Sequence, residues 1–120
     1  MPAAKDIMTT AVVTVGPKDK AKAVIAALVA NKISGLPVVD AEGVVVGIIT
    51  EADVLSAKLA DSVEALIGKR KPITVGPKTT LKEVTEILLK KKIKRVAVVD
   101  EAGKLLGIVS RADLLKARVK

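Results

Sequence analysis

The chain contains neither cysteine nor histidine, and these two absences exclude much of the chemistry that small proteins perform. Without cysteine there is no disulfide and no thiolate metal site. Without histidine the chain lacks the commonest general base and the commonest metal ligand. Zinc hydrolysis, Ser-His-Asp catalysis and Cys-His catalysis are therefore excluded in their usual forms. We expect a binding protein with no catalytic residues and no metal site.

Phe, Trp, Tyr and Gln are missing as well. A natural chain of 120 residues would normally contain several aromatic side chains, so we interpret the gap as the mark of a designed, reconstructed or simplified sequence. Strong binding of single-stranded nucleic acid normally uses aromatic stacking platforms, and this chain has none.

Long apolar runs are also lacking. No stretch of 18 apolar residues exists, which predicts no transmembrane helix and no membrane association. The opening "MPAAKDIMTTAVVTV" lacks a charged segment followed by a continuous apolar one, so we expect no signal peptide and a cytoplasmic protein. Half of the residues are nevertheless hydrophobic, which is enough for a packed core.

Positive charge is concentrated in one half of the chain. Residues 1–60 hold six Lys and six acidic residues, whereas residues 61–120 hold fifteen Lys and Arg against seven acidic residues. The whole net charge of +8 therefore belongs to the second half. This asymmetry indicates either an anionic partner or a solvated basic face.

The chain repeats itself. A shift of sixty residues aligns 13–59 with 73–119 without a gap, and about 20 of the aligned positions are identical. Chance does not produce such a match, so we infer a tandem duplication of one unit, with repeats at 1–60 and 61–120 and a connector near 60–72.

Each repeat predicts the order strand, helix, strand, strand, helix. One repeat is too small to bury its sheet well alone. We therefore expect an α+β fold in which two repeats, related by a pseudo-twofold axis, pack their sheets together with the helices outside. The predicted elements, first repeat before second, are strands at 12–15 and 72–75 ended by "VGPK" turns, a helix with one apolar face, strands at 36–40 and 96–100, turns at 40–43 and 100–103, strands at 44–50 and 105–110, and closing helices at about 51–59 and 111–119.

The motifs "GIITEAD" (47–53) and "GIVSRAD" (107–113) admit two interpretations. Thr50 with Asp53, and Ser110 with Asp113, have the spacing of a capping box at a helix start, which needs no ligand. A helix start after a strand end also suits a polar ligand, and an Asp carboxylate can accept both hydroxyls of a ribose. Glycine inside each strand pattern marks a close backbone approach. The two roles are compatible.

These motifs strongly resemble those of the CBS domain, and the tandem pair resembles a Bateman module. The resemblance is carried by "DIMTTAVVTV", "ISGLPVVDAEGVVVGIITEADVL" and "VAVVDEAGKLLGIVSRADLL", and it covers nearly the whole chain. It implies a regulatory module, not an enzyme, that requires no cofactor. The implied ligand is an adenosyl small molecule (AMP, ADP, ATP or S-adenosylmethionine) in the cleft between the repeats, and the implied assembly is a homodimer.

The resemblance also implies roles for individual residues. Asp53 and Asp113 match the ribose-binding aspartate, and Thr50 and Ser110 match the neighbouring hydroxyl position. The remaining implied contacts are the first-strand position whose backbone meets adenine, at Val13 and Ile73, and the phosphate-facing pair, at Ser34–Gly35 and Lys94–Arg95.

The phosphate-facing pairs differ in charge between the repeats. Because Lys and Arg are the natural partners of phosphate oxygens, we predict one good nucleotide site around Ser110, Asp113, Lys94 and Arg95. The site at Asp53 is predicted to be weaker, or suited to a ligand with less negative charge.

Two other functions remain open. The basic stretches "KRK" (69–71) and "KKKIKR" (90–95) are either solvated or part of a nucleic-acid-binding face, and we expect weak, non-specific nucleic-acid binding at low salt. The third alternative is a designed or structural dimerising scaffold that binds no ligand.

Overall fold

The computed structural model describes residues 2–119. The chain contains helices together with strands that pair mainly as antiparallel hairpins, which confirms the predicted α+β class. The elements are, in chain order, α1 (Ala4–Ile7), α2 (Ala21–Asn31), β1 (Gly35–Val39), β2 (Val45–Thr50), α3 (Glu51–Val54), α4 (Val63–Ile67), β3 (Thr74–Val75), α5 (Leu81–Lys90), β4 (Arg95–Val99), β5 (Leu105–Ser110) and α6 (Arg111–Arg118).

The described residues form two compact units, and the boundary between the units does not coincide with the midpoint of the chain. The first-repeat unit is Val13–Pro72, and the second-repeat unit joins the described residues of Met1–Val12 to those of Ile73–Lys120. The predicted repeat boundary at residues 60 and 61 stays a prediction about the duplication. In the folded chain, each unit is completed by the segment that precedes the other unit's first strand.

The opening segment belongs to the second-repeat unit through backbone hydrogen bonds. The Ala4 N–H donates to the Thr79 carbonyl at 2.8 Å, and Thr9 exchanges two bonds with Ile108, of 2.8 and 2.9 Å. The segment predicted as a connector contains α4. This helix is anchored in the first-repeat unit because the Val63 N–H donates to the backbone carbonyl of Asp19 at 2.8 Å. Both segments are thus structural parts of their units.

In the first-repeat unit, β1 and β2 form an antiparallel pair in which Gly35 lies opposite Thr50. The hairpin turn is stabilised by Asp40, whose Oδ1 accepts the N–H groups of Glu42 and Val44 at 2.9 and 3.0 Å. The predicted strand at 12–15 is wrong in extent, because only Val15 pairs, in a single parallel bridge to Val38. The "VGPK" turn begins directly after Val15 and ends the pairing.

In the second-repeat unit, β3 runs parallel to β4, and β4 runs antiparallel to β5. The predicted strand at 72–75 shortens to Thr74–Val75. The "VGPK" turns are confirmed in both units. Gly16 N–H donates to an Asp19 carboxylate oxygen at 2.8 Å, and Gly76 N–H donates to the Thr79 hydroxyl at 3.1 Å.

The closing helices differ in length. In the second-repeat unit, α6 comes within one residue of the predicted 111–119. In the first-repeat unit, the prediction of 51–59 is wrong, because α3 ends at Val54. The residues that follow α3 form backbone hydrogen bonds with the start of α2 instead. The Lys22 N–H donates to the Leu59 carbonyl at 3.1 Å, and the Ala21 N–H donates to the Asp61 carbonyl at 2.8 Å.

Each unit buries an aliphatic core of its own, which positions the ends of its strands. The alternating burial of β2 and the continuous burial of β1 give one side of the first core, and α2 covers it. The buried cores contain Val15, Ala21, Val24, Leu28, Leu36, Val38, Ile49, Val54, Val63 and Ile67 in the first-repeat unit, and Ala4, Val75, Val84, Leu88, Val96, Val98 and Val109 in the second.

Candidate functional site

Several predicted ligand-binding residues of the second-repeat unit meet at one end of its sheet. Arg95 begins β4 directly opposite Ser110, which ends β5, and Asp113 follows in the first turn of α6. Because β3 runs parallel to β4, the chain enters β3 at this same end, next to Ile73. The register of the sheet therefore brings Ile73, Arg95, Ser110 and Asp113 to the same end of the strands.

Asp113 closes the start of α6 in the way that the capping-box interpretation predicts. The Ser110 hydroxyl accepts the Asp113 N–H at 3.2 Å. Asp113 Oδ2 in turn accepts the Ser110 N–H at 2.8 Å and the Ser110 hydroxyl at 3.0 Å. One carboxylate oxygen is thus committed to the helix start.

Asp53, at the start of α3, accepts the equivalent pair of hydrogen bonds from Thr50. Asp53 Oδ2 accepts the Thr50 N–H at 2.8 Å and the Thr50 hydroxyl at 3.2 Å. The local sequence produces this geometry in both units, because the hydroxyl residue and the aspartate stand three positions apart at a strand-to-helix junction.

The second carboxylate oxygen, Oδ1, is where the two sites differ. Asp113 Oδ1 receives the Thr9 hydroxyl at 3.5 Å, the upper limit of a hydrogen bond, from a side chain that is exposed. Within residues 2–119, Thr9 is the one donor that reaches this oxygen. An ionised carboxylate offers about four acceptor directions, so Asp113 keeps capacity for the hydroxyls of a ligand.

Asp53 Oδ1 is engaged by a cation. Arg70 Nη1 lies 2.9 Å from it, and Arg70 Nε donates to the carbonyl of Ile67 at 3.1 Å. Burial of Asp53 opposes ionisation and alone would raise its pKa. The hydrogen bonds from Arg70 and Thr50 outweigh burial, so the pKa of Asp53 lies below its ordinary value of 3.8.

The predicted phosphate-facing pairs lie beside these helix starts. The Arg111 N–H donates to the carbonyl of Lys94 at 3.0 Å, which holds the exposed Lys94 next to α6. Arg95 is half-buried. The equivalent bond in the first-repeat unit runs from the Glu51 N–H to the backbone carbonyl of Ser34, at 2.9 Å.

Gly35 and the two predicted adenine-facing residues have different environments. Gly35 is buried, and a Cβ there would lie 3.1 Å from the Ile49 carbonyl oxygen, so the chain is closely packed at this position. Ile73 packs against the second core, whereas Val13 is 37% exposed. Their predicted ligand contacts remain predictions.

Gly47 and Gly107, the glycines of the "GIITEAD" and "GIVSRAD" motifs, each lie against other protein atoms. A Cβ on Gly47 would lie 2.7 Å from Ile67 Cδ1, and a Cβ on Gly107 would lie 2.7 Å from Met8 Sδ. The predicted close approach is therefore made by α4 in one unit and by the segment after α1 in the other. This packing accounts for both glycines without a ligand.

Thr9 and Arg70 contact the two aspartates, and neither was among the predicted site residues. The signal was present in the repeat, since extending the sixty-residue alignment toward the N-terminus places Thr9 and Thr10 opposite Lys69 and Arg70. That extension marks residues 61–72 as the counterpart of the opening segment.

Residues 2–119 provide neither a cluster of metal ligands nor a membrane-spanning helix. No group of three or more Asp and Glu side chains is placed to hold a metal ion. No helix in the same range has both the length and the apolar character needed to span a membrane.

Comparison with known proteins identifies the family. The CBS domain profile matches residues 4–60 and 63–120. Inosine-5'-monophosphate dehydrogenase of Korarchaeum cryptofilum is 37% identical over 86% of this chain, but the chain spans only 21% of that enzyme. The chain likewise spans about a fifth of the dehydrogenase of Aquifex aeolicus, at 22%.

Two solved structures resemble the chain along its whole length. The structure of CBSX2 in complex with AMP has a TM-score of 0.91 at 28% identity, covering 99% of this chain and 97% of that one. The CBS domain pair of protein MJ0100, in complex with 5'-methylthioadenosine and S-adenosyl-L-methionine, has a TM-score of 0.88 at 27% identity, with coverage of 99% and 97%. The predicted resemblance is confirmed, and the chain belongs to the CBS domain family as a tandem CBS pair.

Proposed function

We propose that the chain is a regulatory module that binds an adenosyl ligand, of the AMP, ADP, ATP or S-adenosylmethionine class, and that it performs no catalysis itself. The observation that carries the proposal is the difference between the two carboxylate oxygens of Asp113. Its Oδ2 closes α6, while its Oδ1 receives only the 3.5 Å contact from Thr9 among residues 2–119. A ribose diol needs such an acceptor.

The chemistry around Asp113 fits the rest of a nucleotide. Lys94 and Arg95 stand at the start of β4, next to Ser110, where a phosphate can meet two cations. Ile73 offers an aliphatic surface for a purine at the same end of the sheet. The similar CBS pairs described above bind AMP, 5'-methylthioadenosine and S-adenosylmethionine, which are all adenosyl compounds.

The test is the variant Asp113→Asn, examined by isothermal titration with AMP and S-adenosylmethionine. The asparagine carbonyl can keep the bond to the Ser110 N–H, while its NH₂ group replaces the outward acceptor with a donor. We expect a loss of affinity of about tenfold or more, which corresponds to about 1.4 kcal/mol.

Asp6→Asn is the matched control. Asp6 Oδ2 accepts the Ala3 N–H at 2.8 Å at the start of α1, with the same three-residue spacing and in the same unit. The Asp6→Asn variant should lose the same negative charge at a helix start without losing affinity for the adenosyl ligand. Equal affinity of Asp113→Asn and the unmodified protein would refute the assignment of the site, and no binding of any adenosyl ligand would refute the function.

The basic face supports a second candidate, weak and non-specific nucleic-acid binding. Lys90, Lys91, Lys92 and Lys94 are all exposed in the unit that contains Asp113. Binding of this kind weakens steeply with salt and does not depend on Asp113. Titration of a fluorescent oligonucleotide at low and moderate salt, with Asp113→Asn in parallel, separates it from adenosyl binding.

We propose that the module works as a homodimer, with cytoplasmic localisation remaining a prediction. Both units contain leucines with more than half of their surface exposed to solvent. Apolar side chains are costly to leave in water, so these leucines suit contact with a partner. Sedimentation equilibrium of the unmodified protein and of Leu115→Lys should give a dimer and a weakened dimer, whereas a monomer at all concentrations refutes the assembly. The exposed leucines are Leu55, Leu59, Leu89 and Leu115.

A further inference from the structure

The Asp53 site differs from the Asp113 site in the charge that contacts its outward oxygen. At Asp113 the contact is a neutral hydroxyl at 3.5 Å, whereas at Asp53 it is the guanidinium of Arg70 at 2.9 Å. The two bonds from Thr50 occupy Oδ2, and the 2.9 Å ion pair with Arg70 occupies Oδ1, the oxygen that those bonds leave available. A ribose diol at Asp53 therefore competes with Arg70.

Arg70 is held in place and is reachable from solvent. Its Nε bond to the carbonyl of Ile67 fixes the guanidinium beside Asp53, while 56% of the side chain is exposed and only 12% of Asp53 is. The arginine thus contacts a mostly buried carboxylate, while more than half of its own side chain stays accessible to solvent. Arginine is well suited to such a position, because its planar guanidinium can pair with a carboxylate or with a phosphate.

We propose that Arg70 is a specificity-determining residue that makes the Asp53 site select adenosyl ligands carrying a phosphate group. A neutral or cationic ligand that takes Asp53 Oδ1 for its ribose leaves Arg70 without its anionic partner. A ligand with a phosphate supplies a new anionic partner for Arg70, in exchange for the carboxylate. The difference favours the phosphorylated ligand.

This inference rests on the proposed function, and it reverses the charge expected at this site from Ser34 and Gly35. Those two residues supply no cation, so the sequence pattern predicted a ligand with less negative charge there. Arg70, from the segment that completes the first-repeat unit, supplies the cation instead.

The experiment compares adenosine with AMP, which differ by the phosphate alone. Titrations use the full chain with Asp113→Asn, so that the Asp53 site is observed, and the same chain with Arg70→Ala or Arg70→Gln added. We expect AMP to bind more tightly than adenosine before Arg70 is changed, and the ratio of their affinities to fall about tenfold or more in both Arg70 variants.

The direction of each change distinguishes this role from a structural one. Adenosine should bind more tightly once Arg70 no longer competes for Asp53, whereas AMP should bind more weakly because its phosphate loses a partner. General damage to the site would weaken both ligands. Lys71→Ala, which removes an exposed positive charge one residue away, is the matched control and should leave the ratio within about twofold.

Each outcome has a definite meaning. An unchanged ratio in the Arg70 variants, or adenosine binding that does not improve, overturns the inference while leaving the proposed function intact. Binding of AMP to the unmodified chain but not to Asp113→Asn also overturns it, because the Asp53 site then takes no nucleotide. Failure of every adenosyl ligand to bind the unmodified chain refutes the proposed function itself.

Discussion

Gly107 and Met8 approach each other so closely that a β-carbon on Gly107 would lie 2.7 Å from the Met8 sulfur. The same β-carbon would lie 2.8 Å from the carbonyl oxygen of Thr9, a backbone atom that is bonded to the Ile108 N–H at 2.9 Å. The glycine in the middle of β5 is therefore the contact surface on which the opening segment lies.

Gly107→Ala should destabilise the protein by about 1–3 kcal/mol, because the added methyl group displaces backbone as well as a side chain. Gly47→Ala should cost less, since its neighbour is the flexible end of Ile67. The measurement is urea unfolding followed by circular dichroism. Gly16→Ala is the control, because its β-carbon would meet atoms at an ordinary 3.7 Å, and equal stability of all three variants would contradict the packing described.

The ion pair of Asp53 and Arg70 predicts a pH-dependent contribution to stability. Because the pKa of folded Asp53 lies below 3.8, the pair stabilises the folded state above that pH and loses its effect as the pH falls through the lower, folded value. Arg70 is more than half exposed, so we expect only about 0.5–1 kcal/mol at neutral pH.

The measurement is the difference in unfolding free energy between the unmodified protein and Arg70→Ala at neutral pH and near pH 2. The difference should shrink in acid, leaving the part due to the Nε bond with Ile67. Lys71→Ala should show no such change. A difference that is constant with pH would argue against the ion pair.

The Ser110 hydroxyl should contribute to stability through α6. Ser110→Ala removes its bonds with the N–H and Oδ2 of Asp113, of 3.2 and 3.0 Å, at a cost of about 0.5–2 kcal/mol. Thermal unfolding measures the loss. Ser56→Ala, at an exposed position, should be close to neutral, and if both variants behaved alike the cap would have no energetic role.

Lys32 ends α2 in the left-handed backbone region, with φ of 53°. Lys32→Gly should therefore stabilise the protein by about 0.5–1 kcal/mol, because a β-carbon is unfavourable in that conformation. Lys22→Gly, an exposed position inside the same helix, should instead destabilise it by about 1 kcal/mol. Opposite signs in urea unfolding are the expected result, and destabilisation by both would contradict it.

Local sequence signals predicted the features that depend on neighbouring residues. The two β-hairpins and the "VGPK" turns follow from the conformational preferences of a few consecutive residues. The pairing of Asp113 with Ser110 belongs to the same class, since a hydroxyl and a carboxylate three positions apart have the spacing of a capping box.

The extents of α3 and of the first strand could not be predicted in this way. Leu55 and Leu59 are apolar at helical spacing, but the carbonyl of Leu59 accepts the Lys22 N–H at the start of α2. Val13 has the β-branched side chain of a strand residue, yet only Val15 finds a partner. In both places a contact with a distant segment overrides the local preference.

Repetition and short-range geometry are enough to predict the duplication, the CBS family, the α+β class and the two helix starts that carry Asp53 and Asp113. The tertiary structure was needed to show which unit contains residues 2–12 and which contains residues 61–72. That choice depends on the fit of Met8 against Gly107 and of Ile67 against Gly47, a matter of packing between residues far apart in the chain. It also placed Arg70 on Asp53 and Thr9 on Asp113, and so made two similar motifs chemically different.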